Sequence, residues 1–257
     1  MEIISSEQNP RLKQVIKLTE KSRERKKQGL FVIDGLRECQ EAIKAGIVIE
    51  ELFICLELCQ EKFNDIKTNF VSIDIFKKIC YKEKPDGCLA VAKVQKTELT
   101  DLNLPKKPLV VILESVEKPG NLGAIIRSSY AAGVDIIIIN DEQTDIYNPN
   151  IIRASQGLLF KIPIITASFS KTVDYLKVNN IKSVATALGG QKKHTDVNYK
   201  EGVAIVLGSE ADGLSNKWLE EANETVKIPM KSGIDSLNVS VSAAILIFEA
   251  WRQRDFS

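Results

Sequence analysis

The chain has a single histidine, no apolar run long enough to cross a bilayer and no paired-cysteine framework, and each shortage removes a class of function. The histidine, His194, lies in the polar stretch Gly190-Gln191-Lys192-Lys193-His194-Thr195-Asp196 and reads as a surface-loop residue rather than a proton carrier. The longest apolar runs, such as Val134 to Ile139 with Asp135 inside it, fall far short of the roughly 20 residues a membrane helix needs, so no membrane span is expected. All five cysteines (Cys39, Cys55, Cys59, Cys80 and Cys88) precede residue 90, and an odd number without framework spacing predicts reduced thiols. Cys55 and Cys59 are spaced to share a helix face, but no second ligand pair accompanies them; packing is the reading, and no metal is expected. The start Met1-Glu2-Ile3-Ile4-Ser5-Ser6-Glu7 lacks the cationic head and apolar core of a secretory signal, which makes a cytoplasmic location the expectation. A Gly-x-Gly-x-x-Gly turn is missing as well. After Gly120 comes Asn121-Leu122-Gly123, and no acidic residue ends the next strand at the ribose position, which argues against a dinucleotide-dependent oxidoreductase.

What is present suffices for one large or two ordinary domains: 257 residues, 44% of them hydrophobic. The net charge of +1 says little, but its distribution is uneven. Arg11, Lys13, Lys17, Lys21, Arg23, Arg25, Lys26 and Lys27 crowd one segment against only Glu20 and Glu24. Such a cluster suits phosphate binding and equally suits a solvated helix face. The segment itself reads as one helix from Pro10 to about Gln28, with Asn9 as cap, Pro10 in the first position, Leu12, Val15, Ile16 and Leu18 as the apolar face, and Gly29 as the stop. Strands then follow at 30–33, 52–55, 70–73 and 89–94, and helices at 36–45, 58–66 and 75–79, forming an α/β unit over residues 1–95. Residues 96–107 turn polar and read as a linker. Residues 108–257 form a second domain with strands at 109–113, 134–139, 162–165, 183–187, 203–207 and 225–228. Helices are expected at 122–132, 149–159 and 171–178, after Ser215, and at 239–252. Alternation of this kind predicts an α/β fold with a mostly parallel sheet.

Three polar loops in the second domain carry the chemistry. The first, Lys118-Pro119-Gly120-Asn121-Leu122-Gly123-Ala124-Ile125-Ile126-Arg127, sits where a strand ends, the place where open α/β sheets bind ligands. Asn121 is placed to cap the following helix. Arg127 falls among Ala124, Ile125, Ile126, Ala131 and Ala132, where a guanidinium is costly unless it meets an anion: a phosphate, a ligand carboxylate, or Asp135 or Glu114 of the chain itself. The second loop, Leu207-Gly208-Ser209-Glu210-Ala211-Asp212-Gly213-Leu214-Ser215, puts a carboxylate in a Gly-lined strand end, with Ser209 or Ser215 available as a helix cap. The third runs from Ile228-Pro229-Met230 to Ser236-Leu237-Asn238. A turn is expected at Gly233 and Asp235, and Ser236 or Asn238 caps a helix that is apolar on nearly every side from Val239 to Phe248, hence buried all round and suited to a subunit interface.

Taken in order, the three loops resemble the signature motifs of the SpoU/TrmH-type RNA 2′-O-methyltransferases of the SPOUT class. The resemblance covers the whole second domain. Asn9-Pro10-Arg11-Leu12-Lys13 and Gly29-Leu30-Phe31-Val32-Ile33-Asp34-Gly35 look like the ribosomal-protein-like α/β/α substrate-binding domain that some rRNA methyltransferases carry. The resemblance implies a SPOUT α/β domain with a C-terminal trefoil knot, an exception to the rule that chains avoid threading. It implies S-adenosylmethionine as cofactor, contacted at Gly208, Ile228 and Leu237, with Met230 close by and Thr186, Leu188 and Gly189 from a further strand-end loop. Its catalytic and substrate-orienting positions fall on Arg127, Asn121, Glu210, Ser236 and Asn238; the basic segment, which agrees with the N-terminal match, offers Arg11, Lys13, Arg23, Arg25 and Lys26 as RNA contacts. A homodimer is implied, with RNA, most directly large-subunit 23S rRNA, as substrate. A tRNA target, an antibiotic-resistance target site or a non-catalytic RNA-binding protein on the same fold remain open at this level.

Overall fold

Runs of isoleucine, valine and leucine that lack a helical period become strands, and the helices between them supply the crossovers. The computed structural model describes residues 3–234 and 236–256. It divides into two units, Met1–Lys96 with Asp145–Lys161, and Thr97–Thr144 with Ile162–Ser257. No helix among the described residues is long and apolar enough to cross a membrane.

In the first unit, β1 (Ile3–Ile4) precedes α1 (Pro10–Glu20), α2 (Ser22–Gln28), β2 (Leu30–Asp34) and α3 (Leu36–Lys44). Then come β3 (Ile49–Ile54), β4 (Thr68–Val71), α4 (Ile73–Ile79) and β5 (Cys88–Lys93). The strands form a mixed sheet in the order β1-β4-β3-β5-β2. Leu12, Val15 and Leu18 of α1 pack with Ile75, Phe76 and Ile79 of α4 over Val32, Phe53 and Leu89 of the sheet. Asn9 caps α1 by accepting the Arg11 N–H at 2.9 Å, and Gly29 closes α2 at φ 65°. The single helix expected over this segment is broken: Lys21 is extended, and the carbonyls left open at the corner accept from Arg25, to Leu18 O at 2.7 Å and Thr19 O at 3.1 Å. The helix expected over 58–66 is absent; that segment is turns and irregular chain, with too little apolar surface to hold a helix against the sheet.

The second unit runs β6 (Leu109–Glu114), α5 (Pro119–Ala131) and β7 (Ile136–Asn140). The helix α6 (Pro149–Ala154) that comes next lies in the stretch grouped with the first unit. That stretch was expected in the second domain; Asp145 pairs with Arg25 at 2.6 Å and Tyr147 packs on Phe31 with ring centroids 4.2 Å apart, which fixes it to the first unit's core. α6 is shorter than the expected helix because Gln156 and Gly157 take positive φ, and a 3-10 turn follows at Leu158–Phe160. The second unit continues with β8 (Ile164–Thr166), α7 (Phe169–Val178), β9 (Lys182–Thr186) and β10 (Lys192–Lys193). It ends with β11 (Val203–Leu207), α8 (Asn216–Glu221), β12 (Glu224–Lys227) and α9 (Val239–Gln253). The sheet order is β10-β12-β9-β11-β6-β7-β8, and every pairing is parallel. Its register sets Ala185 beside Val206, Thr186 beside Val226 and Leu207 beside Leu113, so the chain leaves β6, β9, β11 and β12 along one edge. Two expectations change here. Asn121 lies inside the first turn of α5 rather than at its cap, since Lys118 holds that position and Pro119 opens the helix. α9 is not buried all round: Val241 is 47% and Phe248 41% exposed, leaving an apolar face uncovered.

Candidate active site

At the carboxyl edge of β9, β11 and β12 the second unit encloses a cavity of about 480 Å³, a size that suits a small-molecule ligand. Thr186, Leu188, Gly208, Ile228, Met230 and Leu237 all line it, as do Glu210 and Ser236. Gly189 is not among the lining residues. The wall is largely apolar with a few convergent polar groups, and Thr186 Oγ1 is buried there without a hydrogen-bond partner among the described residues. An orphaned hydroxyl in an apolar cleft is the mark of a site completed by a ligand's polar group. These features fit S-adenosylmethionine: apolar walls for its adenine, backbone groups from three strand-end loops, and a hydroxyl in search of a partner.

Close backbone approach builds the second loop. A Cβ on Gly208 would lie 2.1 Å from the carbonyl carbon of Gly213, so no larger residue fits without opening the turn. Gly213, at φ 70°, returns the chain so that Ser209 and Gly213 exchange backbone hydrogen bonds at 3.1 Å in both directions. Ser209 Oγ accepts the Asp212 N–H at 3.0 Å, bracing the turn instead of capping a helix. Ser215 stands at the start of α8, but its N–H and hydroxyl donate to Glu114 at 2.8 and 2.7 Å. Glu114 thereby anchors the loop to the end of β6. The turn at Gly233 is present at φ 91°, while Asp235, expected to share it, lies outside the described residues.

A line of side-chain amides joins the three loops. Ser240 donates its N–H and hydroxyl to Asn238 Oδ1 at 2.9 and 2.6 Å, which makes Asn238 the cap of α9 as expected. Asn238 Nδ2 donates to Asn121 Oδ1 at 3.2 Å, and Asn121 Nδ2 donates to Glu210 Oε1. Every donor points the same way, toward the carboxylate, so the dipoles reinforce one another and the negative charge ends beside the cavity. Four of the five catalytic positions named from the sequence thus meet: Asn121 and Asn238 behind the wall, Glu210 and Ser236 in it.

Arg127 does not join them. It is exposed on α5, absent from the cavity wall, and paired with no carboxylate among the described residues. Within one chain the Arg127 side chain stays in water, so no desolvation cost calls for an anionic partner. Neither in-chain alternative takes it: Glu114 binds Ser215, and Asp135 accepts the Leu109 N–H at 2.7 Å.

The basic segment divides in the same way. Arg23 and Lys26 are exposed, Lys13 donates to Gln8 on the surface, and Arg11 donates to Asn69 while remaining partly exposed. Arg25 is a correction: at 3% exposure, with Asp145 and two helix carbonyls as partners, it is a structural cation and cannot reach a phosphate. Sequence reasoning also passed over Leu219 and Ser242, which line the cavity from α8 and α9. Each occupies an ordinary helical position, and only the fold brings it to the cleft.

Comparison with known proteins matches residues 108–248 to the SpoU rRNA methylase family and residues 9–90 to an MRM3-like substrate binding domain. The 23S rRNA (guanosine(2553)-2′-O)-methyltransferase RlmP of Bacillus subtilis is 30% identical over 96% of this chain and 98% of that protein. A crystal structure of an RNA 2′-O ribose methyltransferase superposes with a TM-score of 0.86 at 36% identity, covering 98% of this chain and 99% of that one. An AdoMet-bound rRNA methyltransferase from Sinorhizobium meliloti gives 0.89 at 27% identity, covering 98% and 97%.

Proposed function

The chain belongs to the SpoU rRNA methylase family, and from that premise we infer that it methylates a ribose 2′-hydroxyl of RNA with S-adenosylmethionine, the RNA being 23S rRNA. The observation that carries this reading is the convergence of the chain leaving β9, β11 and β12 on one apolar cavity with Glu210 at its rim. When bound, S-adenosylmethionine supplies an electrophilic methyl group on a sulfonium. Gly208, Ile228 and Leu237 hold it through backbone groups, and Met230, Leu188 and Thr186 close the pocket around it. Glu210, oriented by Asn121 and Asn238, fixes the polar end of the site.

Arg127 serves the RNA. A guanidinium is a poor base, so its role is to hold the target phosphate and lower the energy of the developing alkoxide. Since Arg127 is outside its own chain's cavity, it completes the site of a second copy. The surface for that contact is at hand: α5 packs along α9, and the uncovered Val241 and Phe248 of α9 form an apolar face beside it. The trefoil knot belongs to the same reading; beyond β12 the chain passes back across β9 to seat α9 on α5 and β11. Exposed Arg23, Lys26 and Lys13 suit RNA phosphates, and the reduced thiols suit a cytoplasmic enzyme.

The test is methyl transfer from radiolabelled S-adenosylmethionine to unmodified 23S rRNA, followed by mapping of the 2′-O-methyl position. Label in 23S rRNA supports the reading. Label in tRNA alone moves the substrate, and cofactor-independent RNA binding with no label at all leaves a non-catalytic RNA-binding protein.

A further inference from the structure

Exposure is inverted at two successive residues of the loop between α4 and β5. Tyr81 carries an aromatic ring yet is 46% exposed. Lys82 turns its ammonium inward, to Glu38 Oε2 at 2.9 Å and Asp86 Oδ2 at 3.1 Å. Transfer free energies favour the opposite arrangement, ring inside and ammonium in water. The loop is also held firmly. Asp34 Oδ2, at the end of β2, accepts the backbone N–H of both Tyr81 (2.6 Å) and Lys82 (2.8 Å), although burial raises that carboxyl above its ordinary range. Asp86 Oδ2 also accepts the Leu36 N–H at 3.0 Å, tying the loop to the first turn of α3. A Cβ on Gly35 would lie 2.0 Å from Lys82 Nζ and 2.1 Å from Glu38 Oε2, so a larger residue there would make this ion pair shift. The buried Asp34 carboxyl and the half-buried Lys82 ion pair therefore fix the backbone that presents the ring.

The exposed charges around the ring are mostly cationic, with Glu83 of the same loop the exposed carboxylate among them. The guanidinium carbon of Arg153, on α6, lies 5.9 Å from the Tyr81 ring centroid, and Arg153 otherwise bonds to the neutral Asn150 at 3.0 Å. Arg37, next to Leu36, and Lys84, in the same loop, are exposed, and neither pairs with a carboxylate among the described residues. An exposed ring with a guanidinium against it and unpaired cations nearby matches the chemistry of an unpaired nucleotide: a π-face for the base, positive charge for the flanking phosphates.

We propose that Tyr81 is a stacking platform for an unpaired RNA base, with Arg153, Arg37 and Lys84 meeting the adjoining phosphates. The proposal rests on the RNA substrate assigned above and adds a base contact to the phosphate contacts of Arg23, Lys26 and Lys13 in the same unit. Equilibrium binding of the whole protein to an unmodified 23S rRNA transcript tests it. Tyr81→Phe keeps wild-type affinity, while Tyr81→Ala and Tyr81→Leu each weaken binding about 5- to 100-fold. Arg153→Ala lowers the salt slope of binding by about 0.7. Thermal midpoint and S-adenosylmethionine affinity of the Tyr81 variants stay at wild-type values, since the ring carries no core packing. Binding by Tyr81→Ala within twofold of wild type overturns the proposal, and so does full affinity in Tyr81→Leu, which would mean apolar area rather than stacking. Methyl transfer by the wild-type protein to the same transcript separates the two readings. Tyr81-dependent binding without methylation removes the activity and leaves the platform, and methylation with Tyr81-independent binding does the reverse.

Discussion

Asn121 donates its side-chain N–H to Glu210 across 89 positions of sequence, which fastens the start of α5 to the loop after β11. The contact gives each residue a measurable share. A hydrogen bond to a charged group contributes about 1.5–3 kcal/mol, so Glu210→Ala should lower kcat about 10- to 100-fold. Glu210→Gln keeps an acceptor for Asn121 and should fall between the two. Steady-state methyl transfer read beside calorimetric cofactor binding checks this; equal kcat in all three proteins would remove Glu210 from the mechanism.

Arg127→Ala should abolish methyl transfer while leaving S-adenosylmethionine affinity unchanged, because the residue is outside the cavity that holds it. Arg127→Lys should not restore activity, since a point charge lacks the planar fork that grips a phosphate. If Arg127 completes the neighbouring copy's site, co-expressing Arg127→Ala with a cavity-blocked Gly208 variant yields hybrid dimers with one working site. Activity in that mixture, absent from either parent, is the expected result. A dead mixture in which the hybrids are shown to form would place Arg127 in its own chain's site.

Gly208→Ala forces a Cβ into the Gly213 backbone. Overpacking of this kind costs about 1–3 kcal/mol, or roughly 2–4 °C in Tm for each kcal/mol in a chain of this size class. The opened turn should weaken S-adenosylmethionine binding more than tenfold, as read by isothermal titration. Unchanged affinity would show that the turn tolerates the shift.

Arg25 and Arg23 should separate cleanly although both belong to one basic segment. Removing Arg25 leaves Asp145 buried without its partner and reopens the carbonyls of Leu18 and Thr19, a loss of about 3–5 kcal/mol. Chemical denaturation of Arg25→Ala should show that loss. Arg23→Ala should denature as wild type and weaken RNA binding in a salt-dependent way.

The division between these two arginines shows where the sequence was legible. Strand-end loops carry their residue types in order, so Glu210 and Asn238 stood out in the sequence itself, Gly208, Ile228 and Leu237 came with the resemblance to the SpoU/TrmH motifs, and the parallel sheet followed from alternation. Arg25 could not be separated from Arg23 because the difference lies in a tertiary partner 120 positions away, Asp145. The break at Lys21 and the irregular 58–66 segment were hidden for a related reason: local periodicity records which face is apolar, not whether tertiary packing suffices to hold a helix there. Tyr81 and Lys82 lay in a loop whose composition gave no sign that the lysine would turn inward. Arg127 was identified by motif, yet no desolvation demands an anion there, since Ile125, Ile126 and Ala132 turn into the core while Arg127 stays exposed.

The thiols provide the last test. Burial pushes Cys55 and Cys80 up to about 11, with the Glu57 carboxylate that accepts the Cys55 S–H adding to the effect there and Asp34 adding to it at Cys80. Burial raises Cys39 and Cys59 as well. Reaction with iodoacetamide requires the thiolate, and at pH 7.5 a thiol of pKa 11 holds about 300-fold less of it than a free cysteine. Part of that deficit is returned by the greater nucleophilicity of a high-pKa thiolate, so alkylation at Cys80, the one thiol not fully buried, should run on the order of tenfold slower than a peptide control. Its rate should keep climbing beyond pH 9, where the control levels off. Intact-mass kinetics across pH 7 to 10 measures this, and rapid alkylation at pH 7.5 would mean a thiol held in a far more open or cationic setting than this packing provides.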